Sequence, residues 1–271
     1  MLTLICSLLA ASLTYFGLSS VTFGTEHPYW TIIFTTLAFL ACQIIISLLL
    51  RKASGKINMV LQAIMQETQK KIMAKQNQFM RRPLGQDQMM RELEREQNAG
   101  IDKMLEALEL FKPLYLWNFM MKKQVNTMRM MFLYQKRKFD EVDALMSKCM
   151  FMDAQSICMK LARMYENKAE DKVLDKFYKS KARRFKGDEC TLIASTYAWI
   201  LVKRDRIDDA VKALADAKMP SKDNPVIIKN WEMLVNGKIK HFSNSQIGDM
   251  WYALQLEKPK MQKVQQQMRY R

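Results

Sequence analysis

The chain has 271 residues and 43 Lys and Arg against 27 Asp and Glu, which gives a formal net charge of +16. Hydrophobic residues make up 49% of it, which excludes a wholly disordered protein, and the 8 Gly and 6 Pro are too few for the turns of a β-sandwich. With only His27 and His241 as histidines, a zinc enzyme or a His-dependent nucleophile has little support. The composition predicts an all-α protein with a sizeable core.

Two uncharged segments open the chain, residues 2–23 and 29–50, each with 22 residues. A helix of that length measures about 33 Å, which matches a hydrocarbon core of about 30 Å. Gly24 and Pro28 stand at the ends of the short connection and permit a reversal of the chain. We therefore predict a transmembrane helical hairpin over residues 1–50. A cleaved signal peptide followed by one anchor is the alternative, although the first segment lacks a basic start.

A basic stretch follows the second apolar segment at once. Residues 51–82 contain eight cations and one acid, Glu67, with apolar residues at helical spacing between them. Because cations stay on the cytoplasmic side, both termini are expected in the cytoplasm, with an inner or plasma membrane as the location if the protein is bacterial. Anionic lipid attracts each such cation by about 1 kcal/mol. The helical neck, residues 51–100, is thus expected to contact the membrane surface through Arg51, Lys52, Lys56, Lys70, Lys71, Lys75, Arg81 and Arg82; a solvated stalk or a short coiled coil is the alternative.

Three further helices are predicted before residue 135. Residues 86–98 form a polar helix that Ala99 and Gly100 end, and residues 101–111 form an amphipathic one. Pro113 then opens a long Met-rich helix that reaches about Tyr134. Lys122, Lys123 and Arg129 interrupt it, so it is not expected to be a third membrane span. It is either an interfacial helix or the packed first helix of a soluble domain, and we favour the second interpretation.

One internal pattern recurs in the second half of the chain. A basic turn precedes a large apolar residue, two acids and a stripe that steps by three, four and three residues: Phe139, Val142, Met146 and Cys149 in one copy, and Ile207, Ala210, Leu214 and Ala217 in the other. The copies are 68 residues apart, which is twice 34. This pattern resembles the tetratricopeptide repeat family, and Tyr197, Ala198 and Leu201 match packing positions of the family's preceding helix.

The resemblance covers residues 191–220 well and 126–152 in part, while an intermediate repeat at 173–183 does not fit. Ala194 and Asp205 stand where the family usually has Trp and Gly. The resemblance implies a TPR-like stack of α-hairpins over residues 101–256. A basic flexible tail is expected over residues 257–271.

No sequence motif for catalysis, a cofactor or a metal accompanies this layout, so we expect no enzyme activity, no cofactor and no metal site. The five cysteines lack C-x-x-C spacing and are expected to be reduced. Nucleic acid is not the expected partner, because the positive charge is spread over the neck, residues 122–138, residues 176–186 and the tail, without a binding motif. The sequence predicts a membrane-anchored adaptor or scaffold whose partners are an unidentified protein and anionic lipids. The alternative is a structural subunit of a large membrane complex.

Overall fold

The computed structural model describes residues 2–20, 28–81 and 85–258. The structure is 82% helix and no strand occurs among these residues, which confirms the all-α class. The predicted reversal at Gly24, the cation Arg82 and the tail from residue 259 lie outside the described residues. The chain divides into two compact units, Met1–Met150 and Phe151–Arg271.

The first unit begins with two apolar helices, α1 (Leu2–Ser19) and α2 (Pro28–Arg81), which pack against each other. By length and composition both are long and apolar enough to cross a membrane. Their large apolar side chains, such as Leu13 and Leu49, are mostly exposed rather than packed in a protein core. Exposed apolar faces of this kind are typical of helices that lipid surrounds.

Helix α2 has no break between the second apolar segment and the basic neck. Its 54 residues make one helix of about 81 Å, and Leu50 and Arg51 are consecutive residues inside it. Residues 51–81 contain no proline, and a single glycine, Gly55, costs only about 1 kcal/mol in a helix. The predicted domain boundary at residue 50 therefore falls inside a helix.

The next helix corrects a second prediction. Helix α3 (Gln86–Ala107) runs through Gly100, which was expected to end a helix. A Cβ atom at Gly100 would lie 2.3 Å from the Thr68 hydroxyl oxygen of α2. Glycine therefore allows close approach of two helices here, and the predicted boundary between residues 100 and 101 lies inside α3.

The rest of the first unit completes a core around α2 and α3. A 3-10 segment (Leu108–Leu116) leads to α4 (Phe119–Gln135) and α5 (Phe139–Met146). Pro113 lies inside the 3-10 segment, and α4 begins only at Phe119, where the Asn118 side chain accepts a hydrogen bond of 2.9 Å from the backbone of Met120. The expected helix start at Pro113 is therefore wrong. The core cluster contains Leu61, Ile101, Met104, Ala107, Leu108, Phe111 and Val125.

The second unit is built around one central helix. Its helices are α6 (Ala154–Glu166), α7 (Asp171–Ala182), α8 (Gly187–Lys203), α9 (Ile207–Ala217) and α10 (Pro225–Val235). Two 3-10 turns (Ile239–His241 and Ser245–Ile247) and the short α11 (Asp249–Tyr252) follow. Every residue of α8 from Cys190 to Leu201 is buried, because α6, α7, α9, α10 and α11 all contact this helix.

The same tight turn joins three pairs of consecutive helices. A residue with positive φ stands in each turn: Arg137 between α4 and α5, Lys168 between α6 and α7, and Asp205 between α8 and α9, with φ of 59°, 51° and 59°. The next residue in each donates a backbone hydrogen bond of 2.9–3.0 Å to the carbonyl five residues earlier, which closes the helix end. The turns are 31 and 37 residues apart. The middle turn comes three residues earlier than a regular spacing of 34 residues would place it. This shift explains why the pattern recurs at 68 residues but not at 34.

Candidate interaction surfaces

The eight cations of the neck do not form one surface. Arg51, Lys52 and Lys56 are exposed in the first two turns after the apolar part of α2. Lys70 lies 20 residues beyond Leu50, or about 30 Å further along the helix axis. The predicted set is thus distributed along an axis, and for a helix that crosses the membrane only its first members lie at headgroup level.

Two of the distal cations are paired within the protein. The Lys75 ammonium lies 2.8 Å from the carboxylates of both Glu92 and Glu96 on α3, and Lys71 lies 2.7 Å from Glu67. Hydrogen bonding to Glu92, and then to Glu96, raises the pKa of Lys75. The Lys75 ion pairs link α2 to α3, whereas the Lys71 ion pair lies within α2. Both pairings reduce the contribution of these cations to lipid binding.

Seven of the ten residues expected to pack the repeat are buried. In the second unit six of the seven are buried: Tyr197, Ala198, Leu201, Ala210, Leu214 and Ala217; Ile207 is half-buried. In the first unit Val142 is buried, while Phe139 and Met146 are half-buried. The Phe139 ring meets Tyr134 edge-on at 5.4 Å, and Cys149 lies beyond the end of α5.

The face of α8 that carries Ser195 and Trp199 is covered by the chain itself. Ser195 and Trp199 are buried, the Trp251 ring of α11 lies 5.8 Å from the Trp199 ring, and the Asn244 side chain donates a hydrogen bond of 2.9 Å to the Ser195 carbonyl. Asn244 also accepts a hydrogen bond of 2.8 Å from the buried Asn230 side chain. A ligand at this face would have to displace a packed indole and a buried amide pair.

Glu257 completes this covering. Its carboxylate accepts hydrogen bonds from both buried indoles, at 2.7 Å from Trp199 and 3.0 Å from Trp251. The predicted start of the flexible tail at residue 257 is therefore too early, because Glu257 belongs to the folded unit. The sequence around Glu257 does not indicate this role, since the two tryptophans that it binds are 52 residues apart.

An ion-pair network fixes the opposite side of α8. Arg206 holds both carboxylate oxygens of Asp175 on α7, at 3.1 and 2.8 Å, and the Tyr197 hydroxyl donates to the same carboxylate at 2.7 Å. Partial burial alone would raise the pKa of Asp175, but the hydrogen bonds from Arg206 and Tyr197 outweigh it and hold that pKa below its usual value. Arg204 pairs with Asp171 nearby. The α8–α9 turn and α7 are thereby locked together.

An open cleft of about 530 Å³ lies where α7 ends, α8 begins and α9 ends. It is lined by Tyr178, Lys179, Ala182, Arg183, Cys190, Asp216, Ala217 and Pro220. The Gly187 backbone donates a hydrogen bond of 2.8 Å to the Pro220 carbonyl and so ties the two chain segments together. Helix ends and this backbone hydrogen bond therefore frame the cleft.

Two cations, Lys179 and Arg183, line this cleft. Residues 176–187 contain six basic residues and no acid: Lys176, Lys179, Lys181, Arg183, Arg184 and Lys186. Within the described parts of the chain none of the six takes part in an ion pair, whereas Arg204 and Arg206 of the α8–α9 turn do. We call the cleft and these six residues the cationic cleft. Asp216 is an acid in its lining.

The base of the cationic cleft is aromatic and neutral. The Tyr178 ring stacks on Tyr197 with centroids 3.8 Å apart and an angle of 12° between the planes. Burial raises the pKa of Tyr178 and also that of Cys190, so both groups stay protonated at neutral pH. Sequence reasoning noticed the charge of residues 176–186 but not the cleft, although basic residues interleaved with Phe177, Tyr178 and Phe185 were the available signal.

No group of three or more His, Cys, Asp or Glu is placed to hold a metal ion in the parts of the chain that the structure describes. Comparison with known proteins gives no relative. No family model matches the chain, and no curated protein or solved structure is significantly similar to it.

Proposed function

We propose that this protein is a membrane-anchored adaptor that binds an acidic segment of a partner protein in the cationic cleft. The observation that carries the proposal is the cleft itself, which Lys179 and Arg183 line beside the stacked Tyr178 ring. Both belong to a segment whose six cations take part in no ion pair in the described parts of the chain. Unpaired surface charge of one sign favours a partner of the opposite sign, for which it provides steering and specificity.

The membrane anchor is the first element of the proposal. Helices α1 and α2 would cross the bilayer as a hairpin, with both termini in the cytoplasm. Two observations support this orientation. Arg51, Lys52 and Lys56 follow the second apolar segment, whereas the connection before it carries only Glu26. The Thr3 hydroxyl also donates a hydrogen bond of 3.2 Å to the Trp117 carbonyl, so α1 begins beside the folded part of the first unit.

The helical hairpins supply the scaffold, and we propose that they are a divergent TPR-like array. The recurring turns at Arg137, Lys168 and Asp205 and the buried packing positions of α8 and α9 support this. The binding face would differ from that of the family, because α8 is covered by Trp251 and Asn244. The cationic cleft lies instead at the ends of α7 and α9.

We expect the occupant of the cationic cleft to be another molecule rather than residues 259–271. The chain's own residues 259–271 carry four cations and no acid, so charge repulsion disfavours them as the occupant of the cationic cleft. A pocket with a stacked aromatic base suits a peptide that combines carboxylates with an apolar side chain.

Fluorescence anisotropy of the full chain in mild detergent tests this proposal with a labelled peptide of alternating Glu and Leu. The double variant Lys179→Gln/Arg183→Gln should weaken binding by about 2- to 30-fold, since each charged contact contributes about 0.2–1 kcal/mol. The control variant Lys212→Gln/Lys229→Gln loses the same charge from exposed positions on α9 and α10 and should bind nearly as the wild type does. Equal losses in both variants would contradict a specific cleft, and tighter binding of a single-stranded oligonucleotide would favour nucleic acid.

A second candidate is a subunit of a large membrane complex. Four exposed methionines on the part of α2 beyond residue 50 favour it: Met59, Met65, Met73 and Met80. Methionine is adaptable at protein interfaces. A subunit of this kind would elute from size-exclusion chromatography of a mild native extract in a complex of fixed stoichiometry, and an adaptor would not.

A further inference from the structure

The 3-10 segment and the start of α4 present apolar side chains to the outside of the first unit. Leu116 is 67% exposed, and Leu110 and Met120 are exposed as well. The neighbouring Leu108 and Phe111 are fully buried in the core cluster. Exposed leucines directly beside a complete core indicate a surface with a partner, because the core itself does not need them.

The position of this surface identifies its partner. The Trp117 carbonyl accepts the hydrogen bond from Thr3, which is the second residue of α1. The 18 residues of α1 span about 27 Å, close to the thickness of the hydrocarbon core, so Thr3 is at one boundary of that core when α1 crosses the bilayer. Trp117 and the exposed Leu116 are then at headgroup level.

The composition of residues 110–123 suits the headgroup level of a membrane. Tyr115 and Trp117 are half-buried, and both residue types are enriched at membrane interfaces because one part of each ring is apolar and another is polar. The exposed cations Lys122 and Lys123 follow on α4 and would face lipid phosphates. Leucine, aromatic and lysine side chains together are typical of segments that lie in the interface.

We propose that residues 110–123 form a second membrane contact, in which Leu110, Leu116 and Met120 enter the headgroup layer beside the first turn of α1. This inference rests on the membrane anchor of the proposed function. Leu114 and Tyr115 pack on the same core cluster as Ile57 of α2. The contact therefore braces α2 just beyond the point where it leaves the bilayer, and holds the first unit against the membrane.

Photo-crosslinking of the full chain in phospholipid vesicles tests this contact. The photoreactive residue p-benzoylphenylalanine replaces Leu116 in one variant, Met90 in a second and Leu8 in a third. Met90 is the matched control, because it is an exposed apolar residue of the same unit that lies far from the bilayer. It is near Glu92, which pairs with Lys75, and Lys75 is 25 residues beyond Leu50 on α2. Leu8, on the exposed side of α1, reports on the anchor alone. Mass spectrometry measures the phospholipid adducts.

We expect phospholipid adducts at positions 116 and 8 and at most a tenth of that yield at position 90. Adducts at position 8 without adducts at position 116 would overturn the second contact and leave the anchor standing. Equal yields at positions 116 and 90, or a protein adduct at position 116, would also overturn it. The absence of lipid adducts at position 8 would instead refute the anchor, and the second contact with it.

Discussion

The substitution Gly100→Ala tests the packing of α3 against α2. The added Cβ would lie 2.3 and 2.4 Å from Oγ1 and Cγ2 of Thr68, and 2.9 Å from its Cβ. Rotation of the threonine cannot relieve the last contact, and the hydroxyl is already held by a hydrogen bond of 2.8 Å to the Ile64 carbonyl. The helices must therefore separate. Overpacking of this severity costs about 2–3 kcal/mol, and the better helix propensity of alanine returns about 1 kcal/mol.

The expected net destabilisation is about 1–2 kcal/mol. Gly55→Ala is the matched control, because Gly55 is inside α2 with no atom within 4 Å of an added Cβ, and it should stabilise by up to about 1 kcal/mol. Pulse proteolysis of the full chain in mild detergent across a urea series measures both variants. With a urea dependence of about 2 kcal/mol/M, their midpoints should differ by about 1 M.

The second substitution Thr68→Ala should restore much of the stability of Gly100→Ala, because it removes two of the three short contacts. Equal urea midpoints for Gly100→Ala and Gly55→Ala would contradict the close contact between Gly100 and Thr68. Gly100 would then be a dispensable helix residue, and the close α2–α3 approach would be wrong.

Three further predictions concern the second unit of the full chain. Ala210→Glu places a charge at a fully buried position and should cost several kcal/mol, whereas Asp209→Ala loses only an exposed ion pair and should cost under about 1 kcal/mol; equal shifts in thermal midpoint would show that the α8–α9 packing is wrong. Glu257→Gln leaves one buried indole N–H without its acceptor and should lower the midpoint by about 4 °C, and an unchanged midpoint would exclude the double hydrogen bond. Asp175→Asn should lower the free energy of unfolding by about 2 kcal/mol at pH 7. Because the pKa of Asp175 is lowered in the folded state, the extra stability of the wild type is complete above about pH 4 and disappears as the pH falls further. A stability difference that is independent of pH would contradict the ion pair.

Local patterns predicted much of the helical architecture. An apolar stripe with two acids in its first turn placed α9 correctly, because the Ile207 to Ala217 stripe depends only on helical periodicity. The two apolar helices were equally visible, since length and the absence of charge are properties of the sequence itself.

The errors arose where a residue's role depends on a distant neighbour. Glycine ends many helices, and only Thr68 on another helix shows that Gly100 serves close packing instead. Glu257 resembles the start of a tail until folding brings two indoles to its carboxylate. The cations of residues 176–186 were visible as a run, but the cleft needs the ends of α7, α8 and α9 in one place.

The orientation of the anchor is the claim on which the account depends most, and cysteine accessibility tests it directly. A membrane-impermeant thiol reagent is applied to intact cells that express the full chain with Thr25→Cys or Ala53→Cys, and the unsubstituted protein serves as the control for the native cysteines. Labelling of position 25 in intact cells, with labelling of position 53 only after permeabilisation, is the result that a hairpin with both termini in the cytoplasm predicts. Labelling of position 53 in intact cells would contradict the account.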